Sequence, residues 1–167
     1  MHFKAFITGN PGCGKTTLLK EISKALNEKG MSFSGFITEE MRTKGIRTGF
    51  TIQDLQTYDK KIFASTEIAT TCQFGKYCLN LANFESIALN CFKGSDIIII
   101  DEIGKMEFHS DRFKKLLFDN INKDITIIAA LHRDYIELFK LYGKIFNLTR
   151  GNFHSIKEEI LRSIILD

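Results

Sequence analysis

Apolar positions along this chain follow two spacings that alternate from one end to the other. Apolar-rich runs at residues 3–8, 96–101, 125–131 and 145–148, with a more mixed stretch at 31–41, predict strands, and the apolar runs suit strands buried on both faces. Between them, apolar residues recur every three or four positions: Leu18, Leu19, Ile22, Ala25 and Leu26, then Phe84, Ile87, Ala88, Cys91 and Phe92. Phe113, Leu116, Leu117 and Ile121 form a third such set, Tyr135, Leu138, Phe139 and Tyr142 a fourth, and Ile156, Ile160, Leu161 and Ile164 a fifth. Each set predicts a helix with one apolar face. The punctuation agrees, with Gly30, Gly94 and Gly143 placed to close helices, Ser110 placed as an N-cap, and Ser155 with Glu158 spaced as a capping box for the last helix.

Residues 45–81 break this rhythm. Short stretches at 47–55, 61–66 and 77–81, set among turn residues, predict an antiparallel β insertion on one side of a mainly parallel core. The whole reads as a three-layer α/β fold with helices on both faces of the sheet, and ligands on such folds bind at the carboxyl ends of the strands. The single proline and the absence of repeats or low-complexity stretches predict one domain over residues 1–167.

Composition changes this picture little. A chain of 167 residues with 44% hydrophobic and 26% charged positions builds an ordinary core without staples. The four cysteines, Cys13, Cys72, Cys78 and Cys91, lack paired spacing, which predicts reduced, buried thiols in a cytoplasmic protein. No signal peptide fits before the first strand, and the longest aliphatic run is too short to span a bilayer. The formal net charge of +3 reads as a solvated lysine-rich surface, with no membrane partner and no nucleic-acid footprint.

The strongest chemical signal is Gly9-Asn10-Pro11-Gly12-Cys13-Gly14-Lys15-Thr16, two glycines framing a four-residue gap, then Lys and a hydroxyl residue. Glycines let the backbone curl so that successive N–H groups point at phosphate oxygens. Lys15 then reaches the β- and γ-phosphates and Thr16 ligates Mg²⁺, with Thr17 completing the nucleotide-binding stretch. The motif sits between a predicted strand and a predicted helix, where the helix N-terminus adds to anion binding. A P-loop nucleotide-binding fold follows.

Such a loop needs a partner carboxylate at the end of another buried strand, and Ile97-Ile98-Ile99-Ile100 delivers Asp101 and Glu102 there. Asp101 is the candidate to hold Mg²⁺ through water. Glu102, one step further, is placed to polarise a water in line with the γ-phosphate. Gly104 and Lys105 allow the next loop to approach the phosphates, while Glu107 is expected to pair with a lysine. A second positive charge near the transferred group would come from Arg42, Arg47, Arg133 or Arg150. His109, His132 and His154 have no spacing that implies metal or relay chemistry and read as structural or exposed.

Beyond the generic loop, Gly35-Phe36-Ile37-Thr38-Glu39-Glu40, Gly49-Phe50, Phe74-Gly75-Lys76-Tyr77 and Asp101-Glu102-Ile103-Gly104-Lys105-Met106-Glu107 follow in order. This series resembles the THEP-type nucleoside-triphosphatase family. The resemblance implies a small α/β enzyme that hydrolyses ATP, GTP and other nucleoside triphosphates with Mg²⁺ and little base selectivity, with Asp101 and Glu102 as the metal and hydrolytic pair. One departure is Asn152-Phe153, where the family tends to have Asn followed by Arg. The stretches 35–40 and 74–77 are read as strand packing.

Two other functions share the loop. A nucleoside or nucleotide kinase would carry an arginine-rich lid, and no dense arginine cluster stands in the sequence. A nucleotide-switched module would use slow turnover to time contact with RNA or protein.

Overall fold

The computed structural model describes residues 3–166. One nine-stranded sheet forms the middle layer: β1 (Lys4–Thr8), β2 (Ser34–Thr43), β3 (Ile46–Asp54), β4 (Lys60–Ser65), β5 (Gln73–Phe74), β6 (Tyr77–Leu79), β7 (Ile97–Ile103), β8 (Thr126–Leu131) and β9 (Lys144–Asn147). Their spatial order is β5-β6-β4-β3-β2-β7-β8-β1-β9. Strands β2, β7, β8, β1 and β9 run parallel, whereas β3 to β6 extend the β2 edge antiparallel. The predicted parallel core and its antiparallel insertion are therefore one continuous sheet.

Helices α1 (Lys15–Glu28) and α5 (Phe153–Ile165) cover one face, where Leu18, Leu19, Ile22, Ile156 and Ile160 pack on Ile97, Ile99, Ile128 and Ala130. Helices α2 (Leu81–Ala88), α3 (Asp111–Ile121) and α4 (Ile136–Phe139) cover the other, over Ile98, Ile100, Ile127 and Ala129. Alternate residues of each central strand thus serve opposite layers, which is why these runs are apolar without a break. Among the described residues no helix is long and apolar enough to cross a membrane.

Several boundaries differ from the sequence reading, each for a local reason. The strand predicted through residue 81 stops at Leu79, because Asn80 caps α2 by accepting the Asn83 N–H. The helix expected to run through Phe92 ends at Ala88 and continues only as a 3₁₀ turn, Asn90–Phe92, that still buries Cys91. The helix expected over 135–142 shrinks to α4, and Gly143 is no cap there: a Cβ at that position would lie 2.5 Å from the Lys4 carbonyl oxygen. The last helix starts before Ser155, whose hydroxyl donates to the Asn152 carbonyl. The capping box is instead Thr149 with Asn152, at the 3₁₀ turn preceding α5. Strand β5 escaped detection because two residues show no alternation. Of the four free cysteines only Cys91 is buried; the other three are half-buried, since loop and short-strand positions cover a side chain incompletely.

Four phenylalanines join the insertion to the parallel core. Phe84 of α2 stacks on Phe63 of β4 at 4.5 Å and meets Phe36 of β2 and Phe113 of α3 edge-on at 5.7 and 5.2 Å. All four are fully buried. Phe84→Ala is expected to lower unfolding free energy by about 3–5 kcal/mol in denaturant titrations. A loss below about 1 kcal/mol would contradict this packing.

Candidate functional site

Strand β1 ends at Thr8 and α1 begins at Lys15, so the loop between them lies at the carboxyl edge of the sheet. Gly12 and Gly14 take φ values of 75° and 104°, the left-handed region that side chains resist. Gly14 is also the N-cap of α1 and brings no side chain to the helix's leading N–H groups, and the first turn holds no acidic residue. Those amides are directed at the space in front of the loop, a cradle for an anion. Lys15 Nζ donates to the carbonyls of Gly9 at 3.0 Å and Asn10 at 3.3 Å, so its ammonium is folded over the loop.

From the next residue, Thr16 Oγ1 donates to Asp101 Oδ2 at 2.6 Å. Asp101 also accepts the backbone N–H of Thr38 from β2. Its position follows from a fault in β7: the pairing with β8 slips between Ile100 and Ile103, so that Ile103 packs with Ile98 and Ile100 instead of alternating away from them. The slip frees Asp101 and Glu102 from the regular ladder.

Asp101 is only 3% exposed. Burial pushes its carboxyl up to about 7, the Thr16 hydrogen bond opposes this, and the Glu102 charge adds to it. Glu107 is 4% exposed, and burial first, then the Glu102 charge, hold its carboxyl well above the ordinary range. The expected pairing of Glu107 with a lysine does not occur. The nearby Lys105 bonds Asp134 at 2.5 Å, and Glu107 receives the N–H groups of Gly104 and its own backbone. A Cβ at Gly104 would stand 2.7 Å from Glu107 Oε2 and 2.8 Å from Glu102 Oε1, so a larger residue there would displace both carboxylate ends.

These groups line one cleft of about 710 Å³. The phosphate loop contributes Gly9, Pro11, Gly12, Gly14, Lys15, Thr16 and Thr17, and the β7 end contributes Asp101, Glu102, Lys105, Met106 and Glu107. Asn10 and Cys13 do not line it; Asn10 turns its carbonyl to the Cys13 N–H, and the Cys13 sulfur packs beside Gly9. Of the four candidate arginines, Arg47 and Arg133 line the cleft. Arg42 pairs with Glu40 at 2.7 Å on the exposed hairpin, and Arg150 is exposed in the turn before α5.

Sequence reasoning missed the β2–β4 side of the cleft: Thr38, Glu39, Glu40, Phe50, Phe63 and Phe74. Their signal was present, since all but Phe63 belong to the stretches that carried the family resemblance. Packing alone does not account for them. His132 also lines the cleft, half-buried, whereas His109 and His154 are exposed.

A mainly parallel sheet with a glycine-rich loop feeding a helix, and a lysine, threonine and strand-end carboxylate gathered around it, defines a P-loop nucleotide-binding protein. The sequence model of the NTPase family matches residues 4–161. The chain is 39% identical to nucleoside-triphosphatase THEP1 of Methanocaldococcus jannaschii over 97% of both chains. Its structure superposes with a TM-score of 0.80 on THEP1 of Aquifex aeolicus, at 34% identity over 97% of this chain and 99% of that one. A human cancer-related nucleoside triphosphatase gives a TM-score of 0.79 at 29% identity over 96% of each chain. The chain belongs to the THEP1-type nucleoside-triphosphatase family.

The Asp101 shift fixes a pH dependence. The native state keeps this proton up to about pH 7, whereas the unfolded chain releases it near 3.8. Between those values the native state binds more protons, so stability falls as pH rises through the window and levels off above it. Glu39 and Glu40, held below the ordinary range by Lys20 and Lys60 and by Arg47 and Arg42, act oppositely and at lower pH, where acid removes their stabilisation. Asp101→Asn keeps these other groups and is expected to flatten the fall measured by thermal melts in chelator between about pH 5 and about pH 8. Equal slopes for both proteins would refute the assignment.

Proposed function

We propose that this chain is a Mg²⁺-dependent nucleoside triphosphatase that converts ATP, GTP and other nucleoside triphosphates to diphosphate and phosphate, with one domain acting in the cytoplasm. The observation that carries this reading is the junction of Thr16 and Asp101 at 2.6 Å, with Glu102 beside it in the same cleft as the phosphate loop. The relatives' shared name specifies nucleoside triphosphates and no particular base, in keeping with broad base use.

The donor set suits Mg²⁺. It consists of hard oxygens, and the buried Asp101 is a carboxylate whose ionised form a divalent cation would favour. Among the described residues no three His, Cys, Asp or Glu side chains form a metal cage, which fits a cation that takes most of its ligands from water and phosphate. Thr16 and Asp101 would hold it, and it would supply charge neutralisation at the β- and γ-phosphate oxygens.

The protein's own groups divide the remaining tasks. Amides of Gly12, Gly14 and Lys15 hold the α- and β-phosphates, with the α1 dipole behind them, while the Cys13 N–H closes the loop onto the Asn10 carbonyl. Lys15 exchanges its bonds to the Gly9 and Asn10 carbonyls for the β- and γ-phosphate oxygens. Glu102 orients a water in line with the γ-phosphorus and takes its proton as the new P–O bond forms and the bond to the β-phosphate oxygen breaks.

In phosphate-release assays over a panel of triphosphates, Glu102→Gln is expected to retain nucleotide binding while turnover falls about 10²–10⁴-fold. Turnover at the wild-type rate would overturn the role of Glu102. Lys15→Met is expected to weaken triphosphate binding itself, measured by titration with a non-hydrolysable analogue.

A further inference from the structure

Hydrolysis uses nothing in the cleft beyond Glu102, yet the cleft continues past it into the β insertion. There Phe50, Phe74 and Met106 form a half-buried apolar wall over the buried Ala64, Tyr77 and Leu79. Met106 lies in the turn that follows Glu102 and the end of β7, so this wall adjoins the reacting end of the site. Arg47 stands at its rim, with its guanidinium 5.3 Å from the Phe50 ring centre. The guanidinium is oriented by Glu40 Oε1 at 3.0 Å and by the Tyr77 hydroxyl at 3.0 Å.

The order of the strands tells which end this is. With the α- and β-phosphates on the loop after β1 and the γ-phosphate at Asp101 and Glu102, as proposed above, the triphosphate would run from the β1 side of the sheet toward β7. Strands β2, β3 and β4 lie on the other side of β7. The aromatic wall is therefore beyond the γ-phosphate, where an acceptor would stand. Three cations from separate stretches, Arg47, Lys105 and Arg133, also line this cleft. Arg47 is paired there with Glu40 and Lys105 with Asp134.

We propose that the insertion end of the cleft is a second-substrate site for a planar, ring-bearing small molecule with a free hydroxyl, of the nucleoside class, and that the chain transfers the γ-phosphoryl group to that hydroxyl. The proposal rests on the reading of Glu102 and the phosphate loop given above. A heterocycle matches the wall because every base has a face that stacks on Phe, and because the Glu40–Arg47 pair presents an acceptor and donors to the polar edge of a base. Phe50 already meets Tyr77 edge-on at 5.5 Å and Phe74 meets His109 at 5.7 Å, so a planar ring would extend this aromatic array in a way that a simple sugar or polyol would not. In the transfer, the acceptor oxygen forms a bond to the γ-phosphorus as the bond to the β–γ bridging oxygen breaks. The nucleoside diphosphate leaves with that electron pair, and the hydroxyl proton passes to Glu102.

The test has two arms on the intact chain. Ligand-observed NMR follows a panel of nucleosides, free bases and ribose in the presence of Mg²⁺ and a saturating non-hydrolysable ATP analogue. Chromatography follows label from γ-labelled ATP onto each nucleoside. The expected result is a ring compound that binds together with the analogue, ribose that does not, and label on the nucleoside hydroxyl. Phe50→Ala and Phe74→Ala are each expected to weaken ring binding roughly tenfold or more. The Phe→Leu variants preserve the apolar packing while removing the ring face, and are expected to weaken it as well. Ring compounds that bind only when the analogue is absent would assign the wall to the nucleotide's own base and overturn the proposal. So would a panel that shows no transfer, or binding that none of the four variants changes. Analogue binding and phosphate release are recorded on the same protein: their loss refutes the triphosphatase reading, whereas their presence without co-binding refutes only the second site.

Discussion

The hydrogen bond from Thr16 to Asp101 determines how the rest of the molecule must be arranged. These residues follow β1 and stand near the end of β7, strands that are not neighbours, because β8 lies between them. With strands about 4.8 Å apart, the loop and the carboxylate start roughly 10 Å from each other. Helix α1 spans that gap by crossing the sheet, and its Leu18, Leu19, Ile22 and Leu26 settle on Ile97, Ile99, Ile128 and Ala130. The small Ala130 and Ala5 beneath the helix permit a close approach. The chemical contact is thus secured by apolar burial far larger than the bond itself, at about 25 cal/mol for each Å² removed from water.

What that packing secures is an unfavourable group of charges. Asp101, Glu102 and Glu107 stand within electrostatic reach of one another, two of them buried, and burial raises both of those. The protein offsets this only in part, with the Thr16 hydroxyl and the Thr38, Gly104 and Glu107 amides. Lys15, bonded to the loop carbonyls, adds only a smaller counter-charge to Asp101, and Lys105 is taken by Asp134. Such an arrangement is costly in itself, and its cost is carried by the surrounding sheet.

The parallel core was legible because its strands are buried on both sides and its helices on one, so two apolar periods separate cleanly. The loop and Asp101 were legible because their chemistry needs particular residue types at fixed spacing. Features set by tertiary context were hidden. Asn80 ends β6 by capping α2, a choice between two uses of the same residues that apolar spacing does not reveal. Glu107 looked like a surface carboxylate, since nothing local announces that the slip in β7 and the bare Gly104 draw it beneath Glu102. The insertion side of the cleft was misread for the opposite reason. Phe50 and Phe74 satisfy a packing explanation at sequence level, and only the fold shows that they are half-buried and face the cleft.

Strand β2 makes that side part of the site and not an appendage. Its first residues pair in parallel with β7, Phe36 against Ile100, while the same Phe36 begins the antiparallel ladder with β3 opposite Asp54. Two residues on, Thr38 gives its N–H to Asp101. Two further on, Glu40 pairs with Phe50 across the ladder and orients Arg47. Residues two apart on a strand share a face and lie about 7 Å apart. The backbone amide beside Asp101 and the side chain that orients Arg47 therefore belong to one continuous strand, so the insertion side of the cleft is built on the same element that flanks Asp101.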